Sequence, residues 1–390
     1  MNNVLLAVGT ETALQQPDWA DSPALPYVRD ELATRPALVA PGDVRRLRAH
    51  LAEVAAGRAH VIQTGDCAED PADRTADRVA GRAALLDLLA GALRLTTRRP
   101  VLRIGRIAGQ FGKPRSSATE LVDGVELPVY RGHMVNDPAP DPDSRRPDPL
   151  RLLAGYDAAA ETVRRLGWGG PTWGADLTPT VWTSHEALLL DYELPMLRQD
   201  GEGRTLLAST HFPWIGERTR QVDGAHVGLL AGVVNPVACK VGPAMAPDEL
   251  LDLCERLDPW REPGRLTLIA RMGAQHAAGR LPVLVEAVRK AGHPVVWLTD
   301  PMHGNTVSTA SGLKTRLLDT VVQEVQDFQA AVALAGGVAG GLHLETTPDA
   351  VTECASRPDD LDRVGEHYTS FCDPRLNPDQ ALAVVRAWQG

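Results

Sequence analysis

Eight times along the chain, a short apolar run rich in β-branched residues gives way to a polar or glycine-containing cluster. An amphipathic stretch then follows. The runs are AHVIQTG, PVLRIGRI, PTVWTS, TLLAST, PVACKVG, RLTLIAR, PVVWLTD and GGLHLET. Runs this short, apolar on both faces, suit strands of a parallel sheet. Stretches such as EALLLDYELPMLR, PDELLDLCERLD and LPVLVEAVRKAG repeat apolar residues at helical spacing and predict helices laid on that sheet. Eight alternations predict a closed (β/α)8 TIM barrel over residues 58–390 rather than an open sheet. Residues 1–57 are expected to form an N-terminal extension packing on the barrel: a proline-spaced extended part, then a helix over PGDVRRLRAHLAEVAAG with proline and glycine as its punctuation. The segment NDPAPDPDSRRPD reads as a solvated connector.

Charge and cysteine usage narrow the chemistry. The formal net charge is −10, so no basic face is expected for nucleic acid. The five cysteines include no Cys-x-x-Cys pair, which argues against a disulfide framework or zinc ribbon and for a reducing cytoplasm. The N-terminus lacks the basic flank of a signal peptide, and no apolar run approaches the roughly 18 residues of a membrane span.

Polar residues then collect where a barrel builds its active site, just after the strands. Cys67 follows the first run, and Arg106, Lys113, Arg115 and Ser116 follow the second. The third ends in His185 and Glu186, and the fourth leads to His211, Glu217, Arg218 and Arg220. Lys240, Arg271, Asp300 with His303, and His343 with Glu345 come from the remaining four. Two sets separate. Arg106, Lys113, Arg115, Arg218, Lys240 and Arg271 are cations suited to a substrate with several anionic groups. Cys67, His303, Glu345 and Asp373 offer sulfur, nitrogen and oxygen, a set that suits Mn²⁺, Fe²⁺, Co²⁺ or Zn²⁺ rather than Ca²⁺ or Mg²⁺. Bland alternatives stand beside these. A lone cysteine after a strand is usually a small buried hydrophobe, Cys239 and Cys254 read as core, and Cys372 as core or as a neighbour of the ligands. His211, His226, His293 and His343 read as structural, and Glu217 beside Arg218 as a possible salt bridge.

The motifs QTGDCAED, GRIAGQFGKPRS, TSHEALLLDYE, WIGERTRQVDGAH, NPVACKVGP, PGRLTLIARMG, DPMHGNT, HLETTPDAVTEC and CDPRLN, in this order across nearly the whole chain, closely resemble the second type of 3-deoxy-D-arabino-heptulosonate 7-phosphate (DAHP) synthase. The resemblance implies a barrel enzyme that condenses phosphoenolpyruvate with D-erythrose 4-phosphate and releases phosphate. It implies one divalent metal, Mn²⁺ or Co²⁺ ahead of Zn²⁺ or Fe²⁺, held by Cys67, His303, Glu345 and Asp373. Arg106, Glu217, Arg218, Lys240 and Arg271 would meet phosphoenolpyruvate, with Arg106, Glu217, Arg218 and Lys240 as the catalytic group. Lys113, Arg115 and Ser116 would face the sugar phosphate, with Glu186 nearby. A homo-oligomer of two or more copies, located in the cytoplasm, is expected.

Some positions depart from the family pattern. Thr64 replaces a glycine of GGDCAE, His133 replaces the aspartate of YRGD, AQHAAGRLP follows Arg271 in place of a Lys-x-Arg-Asp segment, and GVAGG stands for THPGG. They leave open an amino or imino analogue of the sugar phosphate as second substrate. A non-catalytic paralogue and a barrel metal hydrolase are further alternatives, the first opposed by the complete ligand set and the second by the crowd of cations. Feedback-inhibited members carry an extra helical pair between their YRGD and SHEA motifs. Here Asn136 to Thr183 holds a proline-rich loop and one helix, PLRLLAGYDAAAETVRRLG, which predicts weak or absent inhibition by aromatic amino acids and a role in specialised metabolism.

Overall fold

The computed structural model describes residues 13–20, 22–122, 124–169 and 180–390. Eight parallel strands close into a barrel: β1 His60–Gly65, β2 Val101–Arg106, β3 Val181–Glu186, β4 Phe212–Ile215, β5 Val237–Val241, β6 Leu266–Ala270, β7 Val296–Thr299 and β8 Ala339–Glu345. Each strand pairs with its neighbour in sequence. The ring shuts where β8 pairs with β1, Val61 facing Gly341 and Gly65 facing Glu345. The (β/α)8 expectation holds.

Seven of the eight apolar runs supply a barrel strand, and TLLAST does not. Its residues Thr205–Leu207 pair antiparallel with Leu197–Gln199 in a small hairpin, and the fourth barrel strand is the next segment, FPWI. Pro213 conceals it in the sequence, because proline cannot donate to a ladder. The site residues after this strand keep their places, since Glu217 and Arg218 still follow it. Pro179, the first residue of PTVWTS, lies outside the described residues, as do residues 1–12 of the extension and residues 170–179 of the second connection.

Outward strand residues such as Cys239, Leu268 and Leu342 pack under the helices. Helix Pro247–Leu257 turns Leu250, Leu253, Cys254 and Leu257 inward, one stripe at helical spacing. EALLLDYELPMLR departs from expectation: only Leu190–Glu193 is α-helical, because Pro195 cannot continue the turn. The N-terminal region also differs. Ala24–Thr34 forms a helix that buries Val28 and Leu32, where an extended segment was expected. The proline-rich segment is anchored rather than fully solvated, since its own Arg145 is buried and donates to the Ala139 and Pro138 carbonyls.

Helix Pro41–Ala55 closes the end of the barrel opposite the site. Its Leu47, Leu51 and Val54 are fully buried against the inward residues Val61, Ile104, Trp182, Ala238, Ile269 and Leu298. Gly264, just before β6, permits the contact: a Cβ there would sit 2.1 Å from the Arg48 carbonyl oxygen. Truncating one of these leucines to alanine would cost about 2–5 kcal/mol. Above this apolar plug lies a polar layer, in which Gln63 donates to Ser184 (3.1 Å), contacts His343 Nδ1 (2.8 Å), and His343 Nε2 meets Arg106 (2.7 Å). The site stands on that layer.

Candidate active site

A cleft of about 480 Å³ opens at the C-terminal ends of the strands. Two hairpins form part of its wall, Thr119–Val122 with Val125–Pro128 after β2, and Thr306–Ser308 with Lys314–Arg316 after β7. Lys113, Arg115, Ser116, Glu186, Glu217, Arg218, Lys240, Arg271, His303 and Asp373 line it, together with Lys314. Ten of the thirteen residues to which the resemblance gives a role therefore share one cavity. The other three are buried beside it: Cys67 meets Lys113 and Glu345 meets His303 of the lining, and Arg106 lies behind Glu345.

Cys67, Glu345 and Asp373 each offer a donor atom, and the three atoms all lie within 4.8 Å of one another. His303 stands at the edge of this group, outside that mutual radius, with Nε2 3.2 Å from Glu345 Oε1. Asp300 takes the other ring nitrogen at 2.8 Å, so Nε2 is left to face the cluster. Burial disfavours the charge on Glu345, yet His303, Lys113, Arg316 and Arg106 outweigh it and hold the carboxyl well below its usual range. Arg106 and Arg316 approach its two oxygens at 3.0 Å each, the second pair poorly aligned for a hydrogen bond, which leaves Oε2 without one. Burial pushes the Cys67 thiol well up, with Cys372 and the carboxylates adding to it. Lys113 pulls the thiol the other way, and a bound divalent cation would favour the thiolate further. A mixed sulfur, nitrogen and oxygen set with an orphaned carboxylate oxygen fits a first-row divalent ion.

The cations differ in what already occupies them. Lys113 lies 2.7 Å from Cys67 Sγ and 3.0 Å from Asp373, and these with Glu345 overcome burial to hold its ammonium well above the ordinary range. Arg106 donates to the Asp66 carbonyl (3.0 Å) and Glu345, and stacks over Trp214 with 5.2 Å to the ring centre. It is a buried strut of the floor in this conformation rather than a lining residue. Lys240 is lowered by burial, against the pull of Asp300 at 2.8 Å. Arg115 pairs with Glu120 at 2.9 Å. Arg218 and Arg271 instead spend their side-chain bonds on the Ser116 hydroxyl (2.5 Å) and the His303 carbonyl (3.0 Å), which leaves their charge free for a ligand. Glu217 does not pair with Arg218 as its sequence position suggested. It pairs with Arg220 at 2.9 Å and keeps Oε2 without a partner. Cys239 and Cys254 are core, and His226 bonds the Leu188 carbonyl as a structural histidine.

Supporting residues escaped the sequence reading. Asp300 was visible on the rim, but not as the residue that orients both Lys240 and His303. Arg375 joins Asp66 (2.5 Å) to Glu353 (2.7 Å), and Arg82 holds the other oxygen of Asp66 at 2.7 Å, so the Cys67 and Asp373 loops are tied together. The only local signal was the charge density of GDCAED and CDPRLN.

The sequence profile of the Class-II DAHP synthetase family matches residues 7–169 and 174–387. A Pseudomonas fluorescens protein described as a probable phospho-2-dehydro-3-deoxyheptonate aldolase is 57% identical over 390 residues, covering 100% of this chain and 98% of its own. A Streptomyces coelicolor phospho-2-dehydro-3-deoxyheptonate aldolase is 41% identical over 418 residues, covering 95% of this chain and 93% of its own.

Proposed function

The chain belongs to the class-II DAHP synthetase family and is an enzyme of that class, and from that premise we propose that it joins phosphoenolpyruvate to D-erythrose 4-phosphate, giving DAHP and inorganic phosphate. The observation that carries this reading is the juxtaposition of the Cys67, Glu345 and Asp373 cluster with the free cations Arg218 and Arg271 in one cleft. Cys67, His303, Glu345 and Asp373 would hold one divalent ion, Mn²⁺ or Co²⁺ ahead of Zn²⁺ or Fe²⁺. Bound there, the ion would polarise the aldehyde of the sugar as a Lewis acid.

The protein's own groups do the rest. Arg271 and Lys240 draw the phosphate and carboxylate of phosphoenolpyruvate to the floor, and Arg218 meets it from the rim. Arg115 and Ser116 take the sugar phosphate at the rim, with Lys113 below and Glu186 beside them. Holding two anions at bonding distance is the main task, and fixed cations in a cleft achieve it without reorganisation. The enol carbon forms a bond to the aldehyde carbon, water adds to the carbon bearing the phosphate ester, and the carbon–oxygen bond to phosphate breaks. Glu217, with its unpartnered oxygen, is suited to orient that water. Arg106 acts from below by keeping Glu345 ionised.

We also take residues 1–57 as an extension and 58–390 as the catalytic barrel. The second connection holds one helix among its described residues, Leu150–Arg165, in keeping with a form insensitive to aromatic amino acids and serving specialised metabolism. No described helix is long and apolar enough to cross a membrane. An oligomer and a cytoplasmic setting remain part of the proposal. The test is phosphate release by the purified protein with both substrates, with chelator and then with Mn²⁺ restored. Release that needs both substrates and the ion supports the reading, whereas release from phosphoenolpyruvate alone would overturn it.

A further inference from the structure

One carboxyl group is buried in a helix stripe that is otherwise apolar. Helix Leu318–Leu334 turns Val321, Val325, Phe328 and Val332 against the barrel, and Glu324 sits in the same stripe, 1% exposed. Burial and nearby Asp300 push its carboxyl up, against the pull of three N–H donors that favour the charged form. Such a group costs stability wherever an apolar residue would fit. Its partners explain the choice. One oxygen accepts the backbone N–H of Met272 (3.0 Å) and of Gly273 (2.9 Å), and the other accepts Asn305 Nδ2 (2.6 Å).

Those partners belong to two different loops. Met272 and Gly273 directly follow Arg271 after β6, and Asn305 lies two residues beyond His303 after β7. Asn305 extends the clamp by accepting Ala274 N–H at 3.0 Å and donating to the Pro301 carbonyl at 2.8 Å. The loops also touch directly. Arg271 donates to the His303 carbonyl, and a Cβ on Gly304 would come within 2.4 Å of Gly273 Cα. Backbone packed on backbone leaves the loops no slack to slide, and the carboxylate fixes their register.

We infer that Glu324 is a positioning residue that sets the spacing of Arg271 and His303, and so couples the phosphoenolpyruvate cation to the metal ligand. The inference rests on the function proposed above. Glu324 touches neither substrate nor ion.

The experiment uses the full chain carrying Glu324→Gln. Glutamine keeps the shape and the oxygen facing Met272 and Gly273, but turns its amino group against that of Asn305. Mn²⁺ affinity is measured by chelator competition without substrate, alongside KM for each substrate and the melting temperature. The expected result is a roughly tenfold weaker Mn²⁺ affinity, as when support behind a metal ligand is lost. KM for phosphoenolpyruvate rises about fivefold or more, while KM for erythrose 4-phosphate stays within about twofold. Adding Asn305→Asp to Glu324→Gln restores a donor–acceptor pair between the two side chains but gives up the bond to the Pro301 carbonyl, so it should recover only part of both losses. If Glu324→Gln does not fold, Asn305→Ala breaks the same contact from the other loop and carries the same expectation. Unchanged Mn²⁺ affinity and phosphoenolpyruvate KM overturn the inference. So does an equal rise in both KM values with a lowered melting temperature. Failure of the underlying reading looks different, because the unsubstituted protein then binds neither Mn²⁺ nor phosphoenolpyruvate.

Discussion

Replacing Arg271 with alanine tests the anion site most directly. Its guanidinium is partly buried and makes one side-chain bond, to the His303 carbonyl. The variant therefore removes charge from the cleft without stranding a carboxylate. Truncating a desolvated partner of a bound anion costs about 2–5 kcal/mol, whereas an exposed pair is worth about 0–1 kcal/mol. A partly buried arginine falls between, at about 2–3 kcal/mol. At roughly 1.4 kcal/mol per decade, that is about 30- to 150-fold in kcat/KM. The same reasoning grades its neighbours. Lys240, buried, should lose more, on the order of a thousandfold. Arg218, exposed at the rim, should lose about fivefold. The assay is initial phosphate release against phosphoenolpyruvate concentration, with metal and erythrose 4-phosphate saturating. A loss below about threefold for Arg271→Ala, or a loss falling only on the KM for erythrose 4-phosphate, would refute the placement of this cation and the grading by burial.

Cys67→Ser exchanges a soft ligand for a poor one, so Mn²⁺ or Co²⁺ affinity should fall at least about tenfold in chelator competition; wild-type affinity would remove Cys67 from the ligand set. Burial, with Arg46 adding to it, holds the His211 imidazole down to about 3. The unfolded chain binds that proton near pH 6.5 and the folded one does not, so this contribution is complete above pH 6.5 and is lost as pH falls toward 3. Between pH 7 and 5 it amounts to about 2 kcal/mol. Urea unfolding at the two values should show that loss in the wild type and a smaller one in His211→Gln, and equal losses would contradict it. Phenylalanine, tyrosine and tryptophan, singly or paired near millimolar, should change the rate by less than about twofold; an effector site typically shifts affinity by 1–3 kcal/mol, so fivefold inhibition would show that such a site exists.

The sequence disclosed what depends on local pattern and hid what depends on distant partners. β5, β6 and β7 are buried on both faces and read as continuous apolar runs. β4 did not, because FPWI is four residues long with a proline inside, while the more strand-like TLL belongs to a hairpin. The helix Ala24–Thr34 was masked by Pro23 and Pro26, although Val28 and Leu32 already stood one turn apart. For the site, residue type and position after a strand sufficed to find the cleft lining. They could not reveal that Arg106 is committed to Glu345, or that Glu324 reaches back 52 residues to Met272. Such contacts are made by closure of the ring, and no window of sequence contains both ends.

The helix that stops the lower end of the barrel also sets an order of events during synthesis. Its leucines leave the ribosome before any strand exists to receive them. Their socket includes Val296 and Leu298 of β7, and Gly340 of β8 must pass beside Val54, with a Cβ there only 3.1 Å from Val54 Cγ1. The helix must therefore wait for almost the whole chain, its apolar face uncovered, and nascent chains that end before β8 should be the ones that chaperones hold and that aggregate.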